Sequence, residues 1–413
     1  MSVVHPIARA WISTGGTGAR NYDEFADDAE ITEIVSANPA SALAIEMPHR
    51  APDSLGRTFT AALPDAVDRL RRQREDGSYV PAQDVVLLYR IGELDRPDEA
   101  AYGLVGMVDT DQISTSADEP GLVIRNEDVF IDKVRERVAL AEATGHLLSP
   151  VLLLQTGSGL HAALASAVAD AGVPDVTDVD HVGRTHALWT VAGDSELGRR
   201  LMDLAGAGEL VVADGNHRSL AAQVGELPRF LAVVTTPGSV AIQPYHRLVT
   251  ELPISLRAVL DGLRVAGAEV GPVPADVLFP AEAASGRVGI PPQGTIILYG
   301  QEGAHRVTLP AGPSESIVDG MDHALVERVL MRDVLGLDPG DKRIVYVGGD
   351  YPPSWLAAEV DSGRAEAAVL IAPVRVDEFV AVNLARQKMP RKSTWFTPKA
   401  RGGLVLAELA AEG

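Results

Sequence analysis

Cysteine is missing from the chain altogether. Its absence excludes a disulfide scaffold, a zinc ribbon, an iron–sulfur site and any thiol nucleophile, and it fits a reducing compartment. Long apolar runs are missing too: Val151–Leu154 and Val369–Pro373 are strand-sized and far short of a membrane span. The opening stretch MSVVHPIARAWISTGG lacks the apolar segment of a signal peptide, so a soluble, cytoplasmic protein is expected. Basic residues are scarce, with 36 Lys and Arg against 57 Asp and Glu and a formal net charge of −21. That balance argues against nucleic acid and anionic membranes as partners, since both need a basic footprint. It does not argue against one small anion in a locally basic pocket. Aromatics make up only 5%, while 46% hydrophobic and 23% charged residues form an ordinary globular mix. At about 150 residues per domain, 413 residues suggest two or three domains.

Texture divides the chain into residues 1–120, 121–250, 251–345 and 346–413. The first region is expected to hold a helix around Thr60–Gln73, which ends in a basic cluster suited to a helix C-terminus, and strands at 85–92 and 101–108. The second alternates: helix Ile131–Thr144, strand Pro150–Gln155, helix Gly159–Ala171, strand Thr185–Val191, helix Ser195–Leu204, strand Glu209–Ala213, helix His217–Gln223 and strand Arg229–Thr235. Alternation of this kind predicts a layered α/β core. The third region reads as an inserted or second subdomain. It has a helix at Ile254–Ala266, a Pro- and Gly-rich stretch over 271–294, a hairpin-like pair and a helix at His323–Val334. The last carries a helix near Pro353–Ser362, the strand Ala367–Ala372 and a basic loop.

The sharpest local signal is GELVVADGNHRSLAA at 208–222. An apolar strand ends in Asp214-Gly215 and passes into a helix carrying His217, Arg218 and Ser219. Helix N-termini attract anions because their first amides are unpaired and the dipole is positive there. Arg218 can fork onto phosphate oxygens, and Asp214 can hold a metal or accept a hydrogen bond. A plain capped helix with Asp214 at its start accounts for the same residues. The second feature is KMPRKSTWFTPKARGG at 388–403. From Phe379 to Ala407 the chain has six basic residues and no acid, which is either a solvated loop or a local positive island. The third is Glu127, just ahead of a helix and near Arg125. It is either a partner of the helix dipole or a general base beside a phosphate site. DVTDVDHVG at 175–183 reads equally as metal chemistry and as a surface turn. HExxH and GxSxG are absent.

Taken in order, Asn21-Tyr22-Asp23, Asn38-Pro39, Arg125-Asn126-Glu127 with Arg137, His186-Ala187-Leu188-Trp189, ADGNHRSLAA at 213–222, Pro244-Tyr245-His246-Arg247, Asp319-Gly320-Met321-Asp322, Val360-Asp361-Ser362-Gly363 and MPRKSTWFTPK at 389–399 resemble the family catalogued as domain of unknown function 1015. Its members look like distant relatives of the ParB/sulfiredoxin-type free serine kinases. The resemblance implies an α/β fold with mixed sheets: a ParB/sulfiredoxin-like nucleotide-binding core and an additional C-terminal α/β subdomain. It further implies a nucleotide-dependent kinase acting on free serine or a similar hydroxy amino acid, with ATP or ADP and magnesium. Gly215, Asn216, His217, Arg218 and Ser219 would hold the phosphates, Asp214 would hold the metal and take part in catalysis, and Glu127 would be the general base. Beyond what the resemblance implies, Lys392, Ser393, Thr394, Trp189 and Arg247 are expected to bind substrate. Asn126 and Asn216 stand where members usually carry histidine, so imidazole gives way to an amide that cannot titrate near neutral pH. A ParB-like regulatory module, or an inactive structural member of the family, is the alternative.

Overall fold

The computed structural model describes residues 2–25, 27–93, 96–114, 121–127, 129–274, 290–310 and 316–409. Residues 275–289 of the Pro- and Gly-rich stretch therefore lie outside the described residues. The chain folds as two compact units, Met1–Val240 with Pro398–Gly413, and Ala241–Thr397.

The first unit comprises β1 (Val4–His5), β2 (Ile7–Ser13), α1 (Ala29–Ala37), α2 (Leu43–Glu46), α3 (Phe59–Glu75), β3 (Tyr79–Glu93), β4 (Arg96–Asp109), β5 (Val123–Ile124), α4 (Ile131–Thr144), β6 (His146–Leu147), β7 (Val151–Gln155), α5 (Leu160–Asp170), β8 (Val176–Val179), β9 (Thr185–Ala192), α6 (Glu196–Ala205), β10 (Leu210–Asp214), α7 (Asn216–Val224), β11 (Arg229–Thr235) and the strand Val405–Glu408. One mixed sheet takes the order β5-β10-β7-β11-β4-β3-β2-(405–408)-β6, with β9 also paired to β3, β8 to β9 and β1 to β4. Only β5 with β10 and β7 with β11 run parallel among these described pairs. The textural boundary at 120 does not separate units, because Gly103–Asp109 of β4 lies along β11 and Val85–Gly92 of β3 along β9.

The reason these segments form a sheet is legible in burial. Strand β7, VLLLQ, is buried at every position and sits between β10 and β11, as a continuous apolar run in a covered sheet should be. Its Val151 and Leu153 join Val86, Leu104, Leu164, Leu201 and Phe230 in the main core. Each such side chain contributes about 1.5–3 kcal/mol on burial. Helix α6 starts at Ser195, whose hydroxyl accepts from Gly198 N, and presents Leu201, Met202 and Ala205 to the core.

The second unit comprises β12 (Ala241–Gln243), β13 (Tyr245–Val249), α8 (Leu256–Val265), β14 (Glu269–Val273), β15 (Thr295–Gly300), β16 (Gly303–Thr308), β17 (Ile344–Gly348), β18 (Ala367–Ile371) and β19 (Trp395–Thr397), with further helices at Asp322–Leu325, Val326–Val334, Pro353–Asp361 and Val376–Leu384. Its six-stranded sheet, β14-β16-β15-β18-β13-β17, is antiparallel throughout. Adjacent residues go to opposite faces, as the pleat requires. Val249, Ile296 and Val369 enter one core, Leu248, Ile297 and Leu370 the other. The helix expected at His323–Val334 continues past Leu325 with π-type hydrogen bonding.

Candidate functional site

Strand β10 carries four buried apolar residues and ends at Asp214. Gly215 then turns the chain at φ 96° straight into α7. The turn suits glycine twice over: the backbone is left-handed, and a Cβ there would stand 3.2 Å from the Val151 Cα. With no side chain at the cap, the first amides of α7 have no side-chain partner from it. Asp214 is gripped from three sides. Its Oδ2 accepts from Arg218 Nη2 at 2.5 Å and from Asn21 Nδ2 at 3.2 Å, and its Oδ1 accepts from Lys399 Nζ at 2.9 Å. Arg218 also donates to Asn21 Oδ1 at 3.3 Å and to the Pro150 carbonyl. Burial alone would raise the Asp214 carboxyl, but Lys399 and Arg218 pull it below the ordinary carboxylate value. Burial works against the Arg218 cation too, yet Asp214 and Asp23 push its pKa up.

The charges continue in alternation. Lys399 lies 3.5 Å from Glu24, and Glu24 lies 3.7 Å from Arg20. His217 is buried, 4.0 Å from Asp23, and its Nε2 accepts from Phe130 N at 3.3 Å while the two rings stack. Ser219 is fully buried, its hydroxyl donating to the Asn216 carbonyl at 3.0 Å.

Glu127 follows β5, and its register places it beside this turn in topology. Val123 pairs with Leu210 and Ile124 with Val211 in parallel, so Asn126-Glu127 and Asp214-Gly215 leave the sheet at the same end. Ligands of open sheets bind at such carboxyl ends. The Phe130 contact with His217 ties the segment after Glu127 to α7. Glu127 is half-buried.

Several buried polar atoms near this turn have no hydrogen-bond partner: Tyr22 Oη, Glu46 Oε2, both amide atoms of Asn126, Nε and Nη1 of Arg137, Asn216 Oδ1 and Arg218 Nε. Leaving a buried polar group unpaired costs about 1–3 kcal/mol. Arg137 stands 4.0 Å over the Tyr22 ring and donates to the Glu46 carbonyl at 3.0 Å. Burial pushes the Glu46 carboxyl up, with Arg137 and Ser149 opposing. Burial, with Asp23, pushes the Tyr22 hydroxyl up as well.

The other residues expected to bind substrate are described within their own units. Trp189 sits in β9 and donates its indole N–H to the Gly172 carbonyl. Arg247 and Lys392–Thr394 belong to the second unit. Arg247 has no exposure: it pairs with Glu327 at 3.1 Å and donates to the carbonyls of Tyr245, His246, Arg391 and Lys392. Its guanidinium is spent on holding the loop that bears Lys392. Ser393 is also fully buried, and Thr394 is half-buried.

The aspartate-rich stretch at 175–183 is a hairpin turn, in which Asp180 Oδ1 accepts from the Val182 and Arg184 amides. Among the described residues, no group of three or more His, Asp or Glu is placed to hold a metal. Sequence reasoning missed Lys399, Asn21, Glu46 and Arg137 as site residues. Lys399 stood inside the acid-free basic stretch, and Asn21 and Arg137 stood in the segments that carry the family resemblance. Nothing in the sequence marked Glu46.

No curated protein matches the chain. Among solved structures it is similar to a conserved hypothetical protein from Pyrococcus furiosus, at 13% identity over 71% of this chain and 90% of that one, with a TM-score of 0.36. A free serine kinase in complex with AMP matches at 12% identity over 70% and 86%, with a TM-score of 0.37. SbnI with a C-terminal truncation, from Staphylococcus aureus, matches at 13% over 72% and 84%, with a TM-score of 0.36. At these scores the likeness carries no argument about what the chain does. The family model described as Protein of unknown function (DUF1015) matches residues 17–324, and the chain belongs to that family.

Proposed function

We propose that the first unit binds the phosphates of ATP or ADP at the ADGNHR turn and transfers a phosphoryl group to the hydroxyl of free serine or a similar hydroxy amino acid. One observation carries the reading. A glycine-capped helix start meets Arg218 and Lys399 where β10 ends, and Glu127 follows the neighbouring parallel strand at the same end of the sheet. Phosphoryl transfer asks mainly for positioning and for neutralisation of charge on the phosphoryl oxygens. Amides of α7, Arg218 and Lys399 supply the donors. The substrate oxygen attacks phosphorus, its proton passes to the Glu127 carboxylate, and the bridging P–O bond breaks to release the shortened nucleotide.

Magnesium bound with phosphates needs only one or two protein carboxylates, so the donor set at Asp214 fits it. Held by Asp214, the ion would screen charge on the phosphates.

A second reading, a nucleotide-binding module without turnover, is favoured by Asn126 and Asn216, buried amides that cannot move protons where an imidazole could. Thermal shift with ADP and ATP tests the shared part: millimolar nucleotide should raise Tm, and Arg218→Ala should remove the response. A wild-type protein indifferent to every nucleotide ends both readings.

A further inference from the structure

Helix α7 opens with Asn216 and His217, and His217 is built into the fold in a way that a phosphate ligand would not be. It is 4% exposed, and its ring stacks on that of Phe130 with centroids 6.3 Å apart. Its Nε2 lies 3.3 Å from the Phe130 amide, which can only donate, so Nε2 is the acceptor. The proton of the neutral ring then sits on Nδ1, which faces Asp23 Oδ2 at 4.0 Å. One ring nitrogen is taken by a backbone donor, and the other points to a carboxylate that would repel a phosphate.

The residue on the other side of this bond is three positions after Glu127. Phe130 is the cap residue of α4, with extended backbone at φ −81° and ψ 115°. Three residues of extended chain span about 11 Å at most, so the bond holds the Glu127 backbone within that reach of the Phe130 anchor. At its other end the same segment leaves β5, where Val123 and Ile124 pair with Leu210 and Val211 of β10. The chain from β5 to α4 is therefore tied at both ends to the strand, turn and helix that carry Asp214 and Arg218. Losing the bond to His217 loosens the entry to α4 and, with it, the placing of Glu127.

We propose that His217 is a positioning residue, which anchors the Glu127 segment to the start of α7 and does not hold nucleotide phosphate. What the segment does rests on the phosphoryl-transfer reading, whereas the anchor itself does not.

The test uses the full chain and two amide variants. Glutamine carries its amide at about the reach of Nε2 and can accept from Phe130, while asparagine carries it at about the reach of Nδ1 and falls short. His217→Asn should speed hydrogen–deuterium exchange of the Phe130 amide about tenfold, and His217→Gln should hold it near the wild-type rate. Affinity for ADP should stay within about twofold of wild type in both variants. With ATP or ADP, magnesium and L-serine, His217→Asn should lower kcat about 100-fold at an unchanged KM for nucleotide, and His217→Gln should recover most of that rate. A phosphate ligand would behave otherwise, with ADP binding weakened about tenfold or more and Phe130 exchange unmoved. That result, or wild-type exchange of Phe130 in His217→Asn, would overturn the proposal. A wild type that makes no O-phosphoserine ends the phosphoryl-transfer reading alone, and the exchange rates still decide the anchor.

Discussion

At the scale of single residues the site rests on Asp214 and Gly215. Gly215 sits at φ 96°, and an added Cβ would meet the Val151 Cα at 3.2 Å, a backbone atom that cannot swing aside. Gly215→Ala should therefore cost about 1–3 kcal/mol in urea denaturation and diminish the nucleotide response with it. Asp214 joins two cations in a partly buried setting. Asp214→Asn leaves Arg218 and Lys399 facing each other without their shared anion, so a loss of roughly 3 kcal/mol is expected by the same measurement. How much of this could be read beforehand depended on distance along the chain. Asp214 and Arg218 stand four residues apart and announced themselves. Lys399 comes from 185 residues away, and no local pattern could pair it with Asp214.

At the scale of elements, the chain orders β3, β9, the turn that precedes β9 and the C-terminal segment through one line of hydrogen bonds. Arg401 N donates to Tyr89 Oη at 3.2 Å, the Tyr89 hydroxyl donates to His186 Nδ1 at 2.6 Å, and His186 Nε2 donates to Asp180 Oδ2 at 3.3 Å. The Asp180 carboxylate can only accept, so the single N–H of neutral His186 sits on Nε2 and its Nδ1 is left to accept from Tyr89, whose oxygen accepts from Arg401 N. Tyr89→Phe leaves buried His186 without its donor and should cost about 1–3 kcal/mol in chemical denaturation, with far-ultraviolet circular dichroism unchanged. The strands and helices of this unit were legible one by one: Ile131–Thr144 and Arg229–Thr235 begin and end where their patterns do. Their pairing was not. Apolar periodicity reports which face is buried, and it is silent on β3 lying between β4 and β9. Arg247 shows the same limit at a side chain. A basic residue in a strand reads as a ligand contact, and only the fold reveals five bonds to its own unit.

At the scale of the whole molecule, acid should unfold the protein in two stages. Burial holds six imidazoles below their ordinary value: His49, His146, His186, His305, His323, and His246 at about 3, where Arg247 adds to the effect. Above the unfolded histidine pKa of about 6.5 these groups are neutral in both states and cost nothing. As pH falls through that value the unfolded chain takes up protons that the fold refuses, and stability declines. Two carboxyls act in the opposite sense, Glu46 and Asp322, the latter raised to about 6 by burial first. Six against two predicts a fall in Tm from pH 7 to pH 5. Below about pH 4 the fall should steepen, because Asp180, held at about 2 against its burial by His186 and backbone amides, and Asp214 must then be protonated on unfolding. A Tm that rises on acidification from pH 7 to pH 4 would contradict this assignment.

The net charge of −21 is compatible with an anion site because the charge is uneven. Within the first unit Arg218 and Lys399 gather where β10 ends, and Lys399 arrives with the segment that re-enters this unit at Pro398. The central claim is that this turn holds nucleotide phosphates while Glu127 takes the substrate proton, and one assay addresses both halves. Wild type and Glu127→Gln are incubated with ATP or ADP, magnesium and L-serine, O-phosphoserine is quantified, and nucleotide binding is measured on the same samples. The account predicts product from the wild type, none above background from Glu127→Gln, and equal nucleotide affinity in both. Undiminished product from Glu127→Gln, or nucleotide binding without product from the wild type across hydroxy amino acids, would contradict it.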